Sequence, residues 1–520
     1  MPKTRVGLEQ DQRWWFFPLL IALVYIVLHL LTASRYGYFR DALYYLACSE
    51  HLDWGYVDQP PLIALVGWIS RHTLGVSLRA LLFWPAMAGA GRIALTAALA
   101  KELAARRFGT ALAAMLAATP GVWYAIDHQF AMNAFEPLFW TGCAYILVRM
   151  VKTENPRLWL GFGAIAGLGL QNKYSIAVVA FALLAGLLLT PQRKLLFTPW
   201  LFAGAGVALL IFLPNLLWNI HHHWPFLELM HNIRAEGRDV VLSPGVFLAQ
   251  QVLLMNPIIF PFWFGGLLYY LLSREMKAYR FLGWAFVITV AFFMIAHGKN
   301  YYSAPVYPVV LAGAAVGIEK FLATSFESRP WRSIVKPAIF AWLILAVTLF
   351  LPITLPILPI ESYLRFQSHL PFKLPRSEYG HMHVPLPQHY ADEFGWEEIA
   401  ATVATIYHSL PPEEQAKTAI FAQDYGQAGA IDFFGAKYGI PKAVSGHQNY
   451  FLWGPRNYTG EIVIVIFGDE ETEREHFASV ERMATLENPY VLPSEVGPIF
   501  LCRGLKGNLQ TWWPRVKHWN

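Results

Sequence analysis

The residues that could do chemistry gather at a few polar breaks between long apolar runs. Asp41 comes first, in Tyr36-Gly37-Tyr38-Phe39-Arg40-Asp41-Ala42-Leu43-Tyr44-Tyr45, shortly beyond the first apolar run, which ends near Thr32. A carboxylate near lipid is costly unless it meets water or a partner. Asp41 could take a proton from a hydroxyl, pair with Arg40, or sit solvated at the interface. Asp58 precedes Pro60-Pro61, whose fixed backbone angles restrict the loop, and a turn cap accounts for it equally well. Asp127, His128 and Glu136 mark another break, and Glu136 directly precedes Pro137, where it could simply open a helix. If these carboxylates converged with Asp41, they would supply a base and an acceptor-orienting group, or part of a divalent-cation site.

Positive charge accompanies them. Lys173 lies in Gln171-Asn172-Lys173, Lys299 stands two residues before Tyr301-Tyr302, and Arg234 and Arg238 share a polar stretch. Ammonium and guanidinium groups pair with phosphate oxygens. Headgroup binding or snorkelling explains single lysines at span ends just as directly. No metal site is assigned. His221-His222-His223 are adjacent, so they do not share a helical face. Cys48, Cys143 and Cys502 are far apart and form no ligand spacing.

The elements that must position these residues are apolar helices. Of 520 residues, 56% are hydrophobic and only 14% charged, against about 25% charged in soluble domains. Pro337 to Ile360 carries no charge over 24 residues, long enough to span a bilayer. The net charge of +5 is small and makes no case for nucleic acid. Basic residues in short loops set orientation instead. Lys3, Arg5 and Arg13 place residues 1–14 in the cytoplasm as a retained anchor. Lys101, Arg106, Arg107, Lys152, Arg157, Arg193, Lys194, Arg274, Lys277 and Arg280 mark later inner loops. Threading on this rule gives about 11 transmembrane helices over residues 15–360, with a first outer loop at 35–77. Trp159 to Leu189 is read as two short spans broken at Gln171-Asn172-Lys173. Lys173 and Lys299 are then lysines on the outer side, against the charge rule.

Residues 361–520 read as an extracytoplasmic, soluble α/β domain. Helical periodicity covers Glu397 to Leu410, with Ile399, Val403, Ile406 and Tyr407 on one face. A second helix is expected from Ala428 to Tyr438. Strands are expected at Thr418–Ala422, Glu461–Phe467 and Ile499–Cys502.

Several segments taken in order resemble the bacterial GT-C glycosyltransferases, in the branch related to protein O-mannosyltransferases and the lipid A aminoarabinose transferase (glycosyltransferase families 39 and 83). They are Arg40-Asp41 with Tyr44-Tyr45, Gly55-Tyr56-Val57-Asp58-Gln59-Pro60-Pro61-Leu62-Ile63, Asn133-Ala134-Phe135-Glu136-Pro137-Leu138, Lys173-Tyr174-Ser175, and Lys299-Asn300-Tyr301-Tyr302 with Pro305-Val306-Tyr307-Pro308. The resemblance covers most of residues 15–320. It implies a polytopic α-helical GT-C fold in the bacterial inner membrane. It also implies transfer of a sugar, with inversion, from a polyprenyl-phosphate donor to a lipid, glycan or protein acceptor outside the cytoplasm. Asp41 matches the family's first-loop base. Asp58, Glu136, Tyr44, Tyr45, Asp127 and His128 would serve sugar or acceptor. Lys299, Lys173, Arg234, Arg238, Tyr301 and Tyr302 would hold the lipid phosphate. No cofactor is assigned, and a divalent cation stays open because metal use varies across the superfamily. One departure matters: many members carry a second acid directly after the first, and here that position is Ala42. A flippase or transporter of lipid-linked sugar, or a catalytically impaired assembly protein, are the rival classes.

Overall fold

A computed structural model describes residues 13–237, 241–325, 329–372, 374 and 384–520. Lys3, Arg5 and Arg238 lie outside them. The chain forms two compact units. The first comprises 1–34, 79–216 and 240–363; the second comprises 35–78, 217–239 and 364–520.

The first unit is helical. Among the described residues, five helices are long and apolar enough to cross a membrane: Leu78–Glu102, Pro199–His221, Lys277–Ile295, Ala304–Ser325 and Ser333–Thr354. Counting each of two bent pairs as one span raises the number to seven. The chain is thus a polytopic α-helical membrane protein, but eleven crossings is a correction to make. The apolar runs are cut by local breakers. Pro120 separates Arg107–Ala118 from Gly121–Ile126. The expected pair within 159–189 is present as Trp159–Leu170 and Ile176–Leu188, broken at the polar triplet. Twelve or thirteen residues reach only about 18–20 Å, short of the roughly 30 Å hydrocarbon core. Large apolar side chains such as Phe202 and Leu210 stand exposed, as lipid-facing residues do. Close helix crossings use small residues: a Cβ on Gly163 would lie 1.9 Å from the Gly204 carbonyl oxygen. Lipid offers no hydrophobic drive for such contacts, so backbone proximity supplies the packing.

The second unit joins the loop at 35–78 and residues 217–239 to the tail. The loop is largely helical, with Arg40–Glu50 and Leu62–Thr73. The tail holds a five-stranded mixed sheet: β1 (Thr418–Ala422), β2 (Val444–Ser445), β3 (Ile462–Ile466), β4 (Phe477–Leu486) and β5 (Gly497–Leu505), in the order β2-β1-β3-β5-β4. β1 runs parallel to β2 and β3, and β5 is antiparallel to β3 and β4. β3 is buried at every position, which is why it reads as a continuous apolar run. β4, with sequence FASVERMATL and half of its residues exposed, was not expected: an exposed edge strand shows little apolar alternation. Helices Trp396–His408 and Tyr425–Tyr438 match the expected pair, the second starting three residues earlier. Asp424 caps it, its side chain accepting from the Gly426 N–H. Helix Tyr425–Tyr438 lies against helix Arg40–Glu50, and Gly429 makes that approach feasible. A Cβ there would sit 2.9 Å from the Leu43 carbonyl carbon.

Candidate functional site

Asp41 stands in the first turn of helix Arg40–Glu50, after an extended Phe39. A carboxylate there faces the positive end of the helix. The Tyr425 hydroxyl donates to Asp41 Oδ1 at 2.8 Å, and Arg40 Nε lies 3.7 Å from the same oxygen. The Asp41 side chain keeps 28% of its surface exposed, so a substrate hydroxyl could reach it. The Tyr425 ring packs on Tyr44 at 4.9 Å and on His447 at 5.0 Å. The Tyr44 hydroxyl donates to Asp58 Oδ1 at 2.9 Å. Asn449 accepts from the Val57 N–H at 2.6 Å and fixes the loop beside it. Tyr425 and Tyr44 therefore link Asp41 and Asp58 in one cluster. Tyr45 is buried next to Tyr44.

The two carboxylates differ in environment. Burial pushes Asp58 up to about 6, against the hydrogen bond from Tyr44. Asp424 goes the other way. Burial works against its charge, but the nearby His447 and Arg40 and the Gly426 N–H hold it below the usual carboxylate range. Burial also raises the Tyr425 hydroxyl well above its ordinary range, so it stays protonated and donates. Ala42 is only 3% exposed. A carboxylate at that position would be buried beside Asp41 rather than presented to a substrate.

A second cluster lies in the first unit. Glu136 opens helix Glu136–Thr153, with Pro137 behind it. Lys173 Nζ sits 3.1 Å from Glu136 Oε2, 2.6 Å from Asn133 Oδ1, and over the Tyr302 ring at 4.4 Å. Ser175 donates to the other Glu136 oxygen. Glu136 and Lys173 are thus partners of each other. The Lys299 turn is held from beneath by helix Pro244–Leu254. Asn300 donates to Gln250, Gln251 donates to the Asn300 carbonyl, and Ser303 and Tyr307 both donate to Gln251 Oε1. Lys299 and Tyr301 are half-buried on that turn. Gln250 and Gln251 escaped the sequence reading; two amides inside an apolar stretch were the signal.

Asp127 is placed differently from expectation. It is fully buried, paired with Arg92 at 2.8 Å and accepting from the Tyr25 hydroxyl at 2.7 Å. Arg92, also fully buried, stacks on Trp123 at 4.3 Å. His128 lies in the same pocket of polar rings, 5.7 Å from His29. Arg234 is exposed on helix Pro225–Ala235 of the second unit. Among the described residues, no group of three or more His, Cys, Asp or Glu is disposed to hold a metal ion.

Residues 58–218 match the family described as Dolichyl-phosphate-mannose-protein mannosyltransferase. The chain is 30% identical over 241 residues to the Lipid A galacturonosyltransferase RgtD of Rhizobium johnstonii, covering 43% of this chain and 47% of that one. It spans about half the length of that relative. Among solved structures, ArnT from Cupriavidus metallidurans, both bound to undecaprenyl phosphate and in the apo state, superposes with a TM-score of 0.57 at 14% identity. The likeness covers 93% of this chain and 97% of ArnT. The chain therefore shares its fold with ArnT.

Proposed function

We propose that the protein is an inverting glycosyltransferase of a bacterial inner membrane, taking a sugar from a polyprenyl-phosphate carrier to an acceptor outside the cytoplasm. The observation that carries this reading is the Asp41 carboxylate, part-exposed and fixed by Tyr425 at 2.8 Å, in a chain with the GT-C fold. Asp41 takes the proton of an acceptor hydroxyl. The oxygen attacks the anomeric carbon from the face opposite phosphate, the C–O bond to phosphate breaks, and the lipid phosphate departs. That group leaves as an anion, so fixed positive charge assists it. Lys299 is assigned this role, with Arg234 and Arg238 as further cations. Lys173 is already neutralised by Glu136, and Glu136 acts mainly to hold it. The likeness to a lipid A galacturonosyltransferase favours a glycolipid acceptor over protein. The undecaprenyl phosphate bound to ArnT supports a polyprenyl carrier.

Purified full-length protein tests the reading. Undecaprenyl phosphate carrying a hexose, a hexuronic acid, a pentose or an amino sugar is offered with extracted membrane lipids and glycans. Mass spectrometry should show sugar on an acceptor and free undecaprenyl phosphate. A flippase would leave every glycosidic bond intact, and that outcome overturns the proposal.

The loop charges also fix an expected orientation. Reporters fused after residue 520 should be active only outside the cytoplasm, and reporters in the loop at Arg274, Lys277 and Arg280 only inside. A cytoplasmic C-terminal reporter would remove Asp41 from the acceptor's side. Lys299→Ala should weaken donor binding about 10- to 100-fold, the usual worth of a charge-assisted hydrogen bond, with a smaller loss for Lys173→Ala. Titration with undecaprenyl phosphate reads this directly, and unchanged affinity in the Lys299 variant removes it from the phosphate site.

A further inference from the structure

We propose that Tyr425, a residue of the tail, is a positioning residue for Asp41; the inference rests on the glycosyl-transfer reading above. Tyr425 donates to Asp41 Oδ1 at 2.8 Å across 384 residues of sequence. A side chain that accepts a proton must be aimed, and misplacement by about 1 Å can cost on the order of 100-fold in rate. Helix Arg40–Glu50 cannot aim Asp41 alone, since a first-turn side chain rotates about its own bonds.

The tail supplies a mount for this purpose. Tyr425 follows the carboxyl end of β1, and His447 follows the carboxyl end of β2. In parallel α/β sheets these ends are where functional residues collect. The order β2-β1-β3 puts a strand-order reversal beside β1, the place such sheets use for binding. The Tyr425 ring is packed against Tyr44 at 4.9 Å and His447 at 5.0 Å, with the Arg40 guanidinium 5.5 Å from its centroid. Asp424 braces His447, with Oδ2 3.2 Å from Nδ1. Gly429 lets the Tyr425 helix come close enough to reach. Every piece lies within the second compact unit.

Tyr425→Phe keeps the ring and its packing and removes only the donor. In the transfer assay with the undecaprenyl-phosphate sugar that the wild type turns over, kcat should fall about 10- to 100-fold. KM for donor should stay within about twofold and the thermal midpoint should hold. The same change made in Asp41→Glu, whose carboxylate sits one methylene further out, should cost less than about twofold, because interacting residues are non-additive. An unchanged kcat, a rise in KM alone, an equal loss in both backgrounds, or a collapse of the thermal midpoint overturns the assignment. A wild type that transfers none of the offered sugars overturns the parent reading instead, so the two failures are distinct.

Discussion

Asp41→Asn should lower sugar transfer about 100- to 10,000-fold, the usual contribution of a general base, with folding and donor binding nearly intact. The amide is the same size as the carboxylate, and its oxygen can still accept from the Tyr425 hydroxyl, which now lies 2.8 Å from Oδ1. The helix start is therefore kept and only proton acceptance is lost. Asp58→Asn is the companion measurement. Burial already pushes Asp58 up to about 6, so the neutral amide resembles the form it takes in mildly acid solution, and Tyr44 can still donate to it. Its effect should be much smaller. Turnover is read by release of undecaprenyl phosphate, and an Asp41→Asn enzyme running at full rate sinks the base.

Arg92→Met should destabilise the membrane unit by about 3–5 kcal/mol, the typical result of stripping one partner from a buried ion pair. Arg92 and Asp127 are both without exposed side-chain surface, 2.8 Å apart. With the guanidinium gone, Asp127 keeps only the Tyr25 hydroxyl at 2.7 Å among its described partners. Asp127→Leu alone should cost a similar amount by stranding the arginine. The pair Arg92→Met with Asp127→Leu should recover most of the loss, because two apolar groups leave no uncompensated charge. Thermal unfolding in detergent measures all three. If the double variant is as weak as the sum of the singles, the pair is not acting as a unit. These variants also separate the two assignments of Asp127. A sugar-binding residue would lose turnover in a protein of normal stability.

Legibility followed sequence distance. The break at Gln171-Asn172-Lys173, the helix over 396–408 and strands β1, β3 and β5 were readable, because each is set by local apolar pattern and breakers. Asp41 stood out as a carboxylate beside an apolar run. Its partner Tyr425 did not, since nothing near residue 425 announces a contact with residue 41. Arg92 was hidden for a related reason. A single arginine within an Ala-rich helix reads as a loop-facing charge until Asp127 is placed against it 35 residues on. The span count failed on length. Apolar composition persists across Pro120, whereas the helix does not, and the two helices on either side of residues 171–175 are each too short to cross alone.

The union of loop and tail in one compact unit also has a temporal side. Residues 35–78 are made first, and residue 364 emerges about 290 residues later. At roughly 5–20 residues per second that is a wait of about 15–60 s. Leu43, Tyr44 and Val57, all buried in the finished unit, spend that interval without the tail that packs with them. A nascent chain in this state offers an apolar surface to chaperones and proteases. Any stop codon before the tail would release a membrane unit whose residues 35–78 never find their other half.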